Sequence, residues 1–203
     1  MITPSSHMNR IGAVVLAAGL SSRMGANKLL LPFRGKPLIR LAVEAAAASR
    51  ATTVVVVTGN NAEKVKAAVS DLLVKFVENK DYTKGLSGSL KCGLRTLPST
   101  CEGVAILLGD MPLVTSGLLD RMIAVFDPGQ GCAIVVPVRH GRRGNPVLWA
   151  RQFFPEMLAL EGDAGAKGLM SVHHGQVYEL EAGDDGPLFD VDTPENLAAY
   201  NKP

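Results

Sequence analysis

The most informative stretch of this sequence is Leu16-Ala-Ala-Gly-Leu-Ser-Ser-Arg-Met-Gly25. After two further residues it is followed by Lys28-Leu-Leu-Leu-Pro32. The apolar run Ile11-Gly-Ala-Val-Val-Leu16 leads into it and predicts a buried first strand. The loop after this strand is made of small residues, which let backbone N–H groups approach an anion closely. Arg23 and Lys28 add full positive charges to the same loop. The pattern therefore predicts a triphosphate site.

Two better-known phosphate-binding loops are absent from the sequence. No G-x-x-x-x-G-K-[ST] motif occurs, which argues against a P-loop protein. The first strand does not lead into G-x-G-x-x-G, which disfavours dinucleotide binding and therefore a hydride-transferring dehydrogenase.

The composition predicts a soluble, cytoplasmic, globular protein. A net charge of +2 is too small to suggest nucleic acid as a partner, and no apolar run is long enough to span a membrane. Cys92, Cys101 and Cys132 are odd in number and lack C-x-x-C spacing, so we expect small buried or half-buried hydrophobes in a reducing compartment. Residues 1–9 are interpreted as an expression-tag remnant and residues 10–203 as one domain.

Strand-like and helix-like segments alternate through the first two thirds of the chain. We expect strands at residues 11–16, 53–58, 74–77 and 103–108, and helices at residues 37–50, 62–73, 87–97 and 116–126. This alternation predicts an α/β fold with a mainly parallel sheet and helices on both faces. From Cys132 onwards we expect strands at 133–138, 146–149 and 176–180, a short helix at 164–172 and a closing helix at 194–200. This half is expected to add a small antiparallel element and the acceptor pocket.

Polar residues follow several of the predicted strands, at the edge where ligands bind in open α/β sheets. Asp110 follows a buried strand, and its carboxylate could hold a hard divalent cation beside the phosphate loop. An N-cap in a turn is the alternative for Asp110. Asp192 is a candidate second carboxylate, although Asp-Thr-Pro-Glu is also a good helix start. Asp190 stays open in its place, since residues two apart on a strand share a face.

The pattern L-A-A-G-L-S-S-R-M-G-x-x-K-L-L-L-P resembles the signature of the MobA-like nucleotidyltransferases, and within that family it looks most similar to the molybdenum cofactor cytidylyltransferases. The resemblance implies a single-domain, Rossmann-like three-layer sandwich of the nucleotide-diphospho-sugar-transferase type. It also implies Mg²⁺ on Asp110, with Asp192 as second ligand.

The residues themselves indicate how a nucleotide is bound, and Thr58 is included because it follows the second predicted strand. Lys28 and Arg23 would grip its phosphates, and the base would lie against Leu16, Ala17, Ala18 and Gly19, with Thr58 nearby. The segment 82–90 resembles the next nucleotide-contacting segment of the family and contributes Gly85, Ser87 and Ser89; a plain N-cap turn is the alternative. The Ala17-Ala18 pair resembles the cytidylyl branch, whereas guanylyltransferases of the family typically have L-A-G-G.

A basic stretch, Arg139-His-Gly-Arg-Arg-Gly-Asn-Pro-Val-Leu148, lies between two predicted strands. A solvated basic loop is one interpretation. The other is a clamp for an anionic, planar acceptor, because the stretch and the following Gly162-Asp-Ala-Gly-Ala-Lys167 resemble the pterin-handling loops of the cytidylyltransferases. The acceptor-binding residues implied are Arg142, Arg143, Gly144, Asn145, Asp163 and Gly165, with a helix cap as the alternative for Asp163.

The sequence thus predicts a magnesium-dependent enzyme that transfers CMP from CTP to the terminal phosphate of a molybdopterin-type acceptor. Another base or acceptor stays open, including GTP, a sugar phosphate or methylerythritol phosphate. A non-catalytic chaperone that carries the cofactor is a further alternative. We expect a monomer or weak oligomer, with a molybdenum hydroxylase as recipient of the product.

Overall fold

The computed structural model describes residues 9–19, 27–191 and 197, and most of its strands form one mixed sheet. The strands of this sheet are β1 (Ile11–Ala17), β4 (Thr53–Thr58), β5 (Lys75–Glu78), β6 (Gly103–Leu108), β7 (Ile134–Arg139), β8 (Arg142–Arg143), β9 (Val147–Ala150) and β10 (Val177–Glu181). Their order is β10-β7-β9-β6-β1-β4-β5, with β8 paired to β7. A separate hairpin consists of β2 (Pro32–Phe33) and β3 (Lys36–Pro37).

The predicted fold class is confirmed. Strand β1 pairs in parallel with β4 and β6, and all seven of its residues are buried, as expected for a central strand covered on both faces. The antiparallel element is β9, which lies between β6 and β7 and opposes both, together with β8. Because β9 runs against its neighbours, the turn that precedes it lies at the edge where β6 and β7 end.

The helices are α1 (Leu38–Ala47), α2 (Ala62–Ala67), α3 (Leu86–Thr96), α4 (Ser116–Val125), α5 (Phe154–Ala159) and α6 (Leu169–Val172). The predicted helix at 62–73 is too long: it ends at Ala67, and the Ala68 N–H donates to the carbonyls of Lys64 and Lys66. The predicted helix at 164–172 is split into a 3₁₀ turn, Ala166–Gly168, and α6. The closing helix at 194–200 lies outside the described residues except for Leu197.

Several short elements are missing from the sequence prediction, among them the β2–β3 hairpin, β8 and α5. The β2–β3 hairpin turns at Arg34 and Gly35, which both have positive φ, and its short strands carry little hydrophobic periodicity. Helix α5 follows β9 through a 3₁₀ turn and buries Phe154 and Met157. Six residues are too few to show a helical period clearly.

The three cysteines are free, and burial raises the pKa of the Cys101 and Cys132 thiols. This agrees with their interpretation as small hydrophobes. Within the described ranges, none of the helices has the length and apolar character needed to cross a bilayer.

Glycine packing on the sheet gives a stability test. A Cβ on Gly93 of α3 would lie 2.5 Å from Val14 Cγ1 and 3.1 Å from Val57 Cγ2, whereas one on Gly117 of α4 would meet no atom closer than 4.0 Å. We expect Gly93→Ala to lower the free energy of unfolding by about 1–3 kcal/mol through overpacking. Gly117→Ala should leave it unchanged or raise it by up to about 1 kcal/mol. Urea unfolding measures both, and equal effects of the two variants would contradict this packing.

Candidate active site

Lys28 and Asp110 meet at the carboxyl-terminal edge of the sheet. The Lys28 Nζ lies 2.6 Å from Asp110 Oδ2, and the two side chains are only 17% and 16% exposed. The sequence assigned both residues to the chemistry from separate motifs, and the structure brings them together. An amine in this position can bind a polyphosphate, and a carboxylate beside it can bind the metal ion that accompanies the polyphosphate.

Close packing fixes Asp110 directly after β6. The Gly109 N–H donates to the Leu16 carbonyl at 3.0 Å, so the end of β6 is tied to the end of β1. A Cβ on Gly109 would lie 2.9 Å from Ile39 Cδ1, so a larger residue would push the strand end away from α1. The turn that carries the carboxylate is therefore held against the end of β1.

Lys28 begins the 3₁₀ turn Lys28–Leu30, which Asn27 caps. The Asn27 Oδ1 accepts from the Leu29 N–H at 3.1 Å, and its Nδ2 donates to the Asn60 carbonyl at 3.2 Å. The second bond ties the loop after β1 to the loop after β4. Asn27 is a positioning residue that the sequence motif did not reveal, since its partner is distant in the chain.

The segment that leads to the second predicted carboxylate also reaches Asp110. The Val191 N–H donates to the Asp110 carbonyl at 3.1 Å, which places Asp190 beside the site. The residues before it form a 3₁₀ turn, Gly186–Leu188, rather than a strand, and the choice between Asp190 and Asp192 stays a prediction. Asp192 and Arg23 lie outside the described residues.

The predicted base-contacting residues line the end of β1. Leu16, Ala17 and Ala18 are buried and Gly19 is exposed. Thr58 is fully buried, and its Oγ1 donates to the Val77 carbonyl at 3.4 Å. The Thr58 side chain therefore links strand β4 to strand β5.

The segment that begins α3 holds two loops together. The Ser89 Oγ accepts from Asn79 Nδ2 at 3.0 Å, and both side chains are buried. The Ser87 N–H donates to the Gly162 carbonyl at 3.1 Å. Gly85 has φ +108°, and a Cβ there would collide with the backbone of Gly162. Gly85 precedes α3 without a side-chain cap, so its absent side chain permits the contact with residues 162–163.

A pocket of about 440 Å³ adjoins this edge of the sheet. Its described lining is mostly apolar, and only Asn145 and Lys167 among those residues bring polar side chains to it. The lining joins the ends of β1 and β6 to the start of α3 and the 165–168 turn: Leu16, Leu86, Leu90, Ile106, Leu108, Asn145, Val147, Trp149, Gly165, Ala166, Lys167 and Gly168. Leu16, Asn145 and Gly165 are residues that the sequence assigned to the site.

Gly144 places Asn145 at the pocket. The Gly144 N–H donates to the Pro137 carbonyl at 2.8 Å, and the Asn145 N–H donates to the Pro187 carbonyl at 2.9 Å. A Cβ on Gly144 would overlap the Pro187 carbonyl, so this turn requires glycine for close backbone approach.

The three arginines of the basic stretch do not line this pocket, and Arg139 and Arg143 are engaged with acidic partners. Arg143 Nε lies 2.7 Å from Glu179 Oε1 on β10. Arg139 contacts Glu181 and Asp185, and its hydrogen bond holds the pKa of Asp185 below its usual range. These contacts are those expected of a solvated basic loop.

Two further predicted acceptor residues, Arg142 and Asp163, are exposed. Gly165, not Asp163, precedes the 3₁₀ turn Ala166–Gly168, and no side chain caps that turn. The helix-cap interpretation of Asp163 is therefore wrong.

The site fits a divalent cation that binds together with its substrate. No group of three or more His, Cys, Asp or Glu side chains suited to a metal occurs among the residues described. Mg²⁺ commonly uses one or two carboxylates and takes its other ligands from substrate phosphates and water. Asp110 at the strand end supplies a carboxylate of this kind, with Lys28 beside it for a phosphate.

Comparison with known proteins gives matches along nearly the whole chain. The sequence model for the MobA-like NTP transferase domain matches residues 13–177. Purine catabolism protein PucB of Bacillus subtilis is 32% identical, over 90% of this chain and 91% of that protein. Nicotine blue oxidoreductase of Paenarthrobacter nicotinovorans is 28% identical, over 92% and 94%. Molybdenum cofactor cytidylyltransferase of Escherichia coli is 26% identical, over 94% and 95%.

A solved structure agrees with the fold. Rv0371c of Mycobacterium tuberculosis superposes with a TM-score of 0.83 at 30% identity, over 95% of this chain and 98% of that chain. The same protein in complex with manganese gives a TM-score of 0.76, with the same identity and coverage. These matches leave the substrates of this chain open, since the relatives carry different names.

The buried Asn79–Ser89 bond predicts a separation of stability from ligand binding. Ser89→Ala should lower the free energy of unfolding by about 1–2 kcal/mol, because the Asn79 amide loses its acceptor. The Kd for CTP should stay within twofold of the wild-type value, as the Ser89 hydroxyl faces Asn79. Thermal unfolding and calorimetric titration measure the two quantities, and Ser70→Ala on the surface is a control. A weakened Kd with unchanged stability would show that Ser89 contacts the nucleotide.

Proposed function

The chain belongs to the MobA-like NTP transferase domain family, and from this premise we propose that it transfers CMP from CTP to the terminal phosphate of a molybdopterin-type acceptor, with release of pyrophosphate. The observation that carries the proposal is the half-buried Lys28–Asp110 pair beside an apolar pocket. It unites a polyphosphate site with room for a second, ring-shaped substrate.

The transfer needs no covalent bond to the protein. An oxygen of the acceptor phosphate attacks the α-phosphorus of CTP in line, and the bond to the departing pyrophosphate breaks. A phosphomonoester is already ionised at neutral pH, so a general base is optional. Lys28 and Arg23 bind the triphosphate and stabilise the charge that shifts toward pyrophosphate. The backbone from Leu16 to Gly19 lies where it can contact the base.

We assign the metal site to Asp110, with Asp192 as second ligand and Asp190 as its alternative. Mg²⁺ bound there would neutralise charge on the α-phosphate and the leaving pyrophosphate. The contact between the Val191 N–H and the Asp110 carbonyl supports this assignment, because it brings residues 190 and 191, which precede Asp192 in the chain, to the end of β6.

The pocket favours an acceptor with a flat ring, whose faces can pack on the apolar wall while its polar edge meets hydrogen-bond partners. A sugar phosphate or methylerythritol phosphate carries several hydroxyls that need hydrogen-bond partners when buried. The described lining offers only the Asn145 amide and the Lys167 amine among side chains. A pterin ring can pack on the apolar wall and contact Asn145 along its edge. Gly144 and Gly165 lack a side chain, and we assign them to acceptor binding because the acceptor could approach their backbone closely. Asp163, Arg142 and Arg143 are assigned to the outer rim.

The proposal places the reaction in the cytoplasm of the cell, with delivery of the product to a molybdenum hydroxylase. Turnover distinguishes such an enzyme from a chaperone that only carries the cofactor.

The first test is pyrophosphate release with Mg²⁺, molybdopterin and CTP, GTP, ATP or UTP in parallel, with the product mass recorded. We expect release with CTP and a mass equal to molybdopterin joined to CMP. Release with GTP alone would retain the mechanism and refute the base assignment. Binding of the product without any turnover would favour the carrier.

Asp110→Asn tests the metal assignment. It removes the carboxylate charge at constant size, so we expect turnover to fall at least about 100-fold. The Kd for CTP should change far less than turnover, because the metal acts mainly on the charge that develops during the reaction. Glu63→Gln, which breaks an exposed ion pair with Lys66, is the matched control and should keep full activity. Near-wild-type turnover in Asp110→Asn would refute the assignment.

A further inference from the structure

The cations around the pocket differ in what they contact. Arg143 is paired with Glu179, and Arg139 with Glu181 and Asp185. These arginines are held by acidic side chains on the β10 side of the sheet.

Lys167 stands apart from them. It lines the pocket, and its side chain makes neither an ion pair nor a hydrogen bond with another described residue. Arg142 also lacks such a partner among the residues described, but it does not line the pocket. Lys167 is thus the cation of this region that is available to a molecule in the pocket.

The turn that carries Lys167 is anchored to the start of α3. The Ser87 N–H donates to the Gly162 carbonyl at 3.1 Å, and a Cβ on Gly165 would lie 3.3 Å from Leu86 Cδ2. Gly85 allows the backbones of the two segments to approach closely. The position of Lys167 is therefore fixed by the same contacts that shape the pocket wall.

The chemistry requires a cation on the acceptor side. The attacking phosphate and the α-phosphate are both anionic and must approach each other, while Lys28 lies on the Asp110 side. A lysine can lay its methylene stem on an apolar wall and keep its charged amine at the rim, where the amine can donate charge-assisted hydrogen bonds to a phosphate. Resting on the proposed function, we propose that Lys167 binds the phosphate of the acceptor and brings it to the nucleotide.

The unique tryptophan allows a direct test. Trp149 is the one tryptophan of the chain and lines the pocket, so its fluorescence reports occupancy without turnover. Molybdopterin, titrated under anaerobic conditions, should quench Trp149 in the wild-type protein. Lys167→Gln should raise the Kd roughly tenfold, as expected for a lost charge-assisted contact, and Lys167→Arg should restore most of the affinity. Lys64→Gln, with the same charge change on α2 away from the pocket, should match wild type.

Salt dependence separates a direct contact from a structural effect. The wild-type Kd should rise with ionic strength more steeply than that of Lys167→Gln, since the variant has lost the charge that salt screens. Lys167 is exposed, so thermal unfolding should verify an intact fold in the variant. Equal Kd values for wild type and Lys167→Gln, equal salt slopes, or no quenching in wild type would overturn the proposal.

The two proposals fail in distinguishable ways. Weaker quenching in Lys167→Gln without nucleotide transfer by the wild type would refute the transferase activity and retain the phosphate contact. Transfer by the wild type with an unchanged acceptor KM in Lys167→Gln would refute the Lys167 assignment alone. A raised KM for CTP at constant acceptor KM would assign Lys167 to the triphosphate and likewise overturn the proposal.

Discussion

The hydrogen bond from the Gly109 N–H to the Leu16 carbonyl joins the ends of β6 and β1, and both halves of the site depend on it. Parallel pairing of the two strands brings their carboxyl ends to one edge, where Lys28 and Asp110 meet at 2.6 Å. The same two strand ends contribute Leu16 and Leu108 to the pocket wall. The charged site and the apolar pocket are therefore neighbours because they share these strands.

The site has two kinds of surface, a charged one at Lys28 and Asp110 and an apolar one in the pocket. In the proposed reaction, the loops after β1 and β6 would supply cations for the phosphates and a carboxylate for the metal. The apolar wall formed by β9, α3 and the 165–168 turn would pack against the ring of the acceptor. Strand β9 lies antiparallel to its neighbours, so the turn before it places Asn145 at the edge where the parallel strands end. The apolar pocket and the charged site therefore lie at the same edge of the sheet.

Local sequence signals predicted the strands and the paired residues well. The run Thr53–Thr58 was assigned with correct bounds, because a strand buried on both faces is apolar at nearly every position. Lys28 and Asp110 were assigned because each follows a strand. The contact of Ser89 with Asn79 and the approach of Gly144 to Pro187 were not predictable, since they depend on segments that only the folded chain brings together.

The central claim is that the end of β6 is where nucleotide and metal react, and a crystal structure with CTP and Mn²⁺ tests it most directly. The account predicts an anomalous peak bonded to an Asp110 carboxylate oxygen and to phosphate oxygens. It also predicts that Lys28 moves from Asp110 to the triphosphate. A triphosphate bound on the 139–143 stretch, or a metal ion away from Asp110 with the Lys28–Asp110 pair intact, would contradict it.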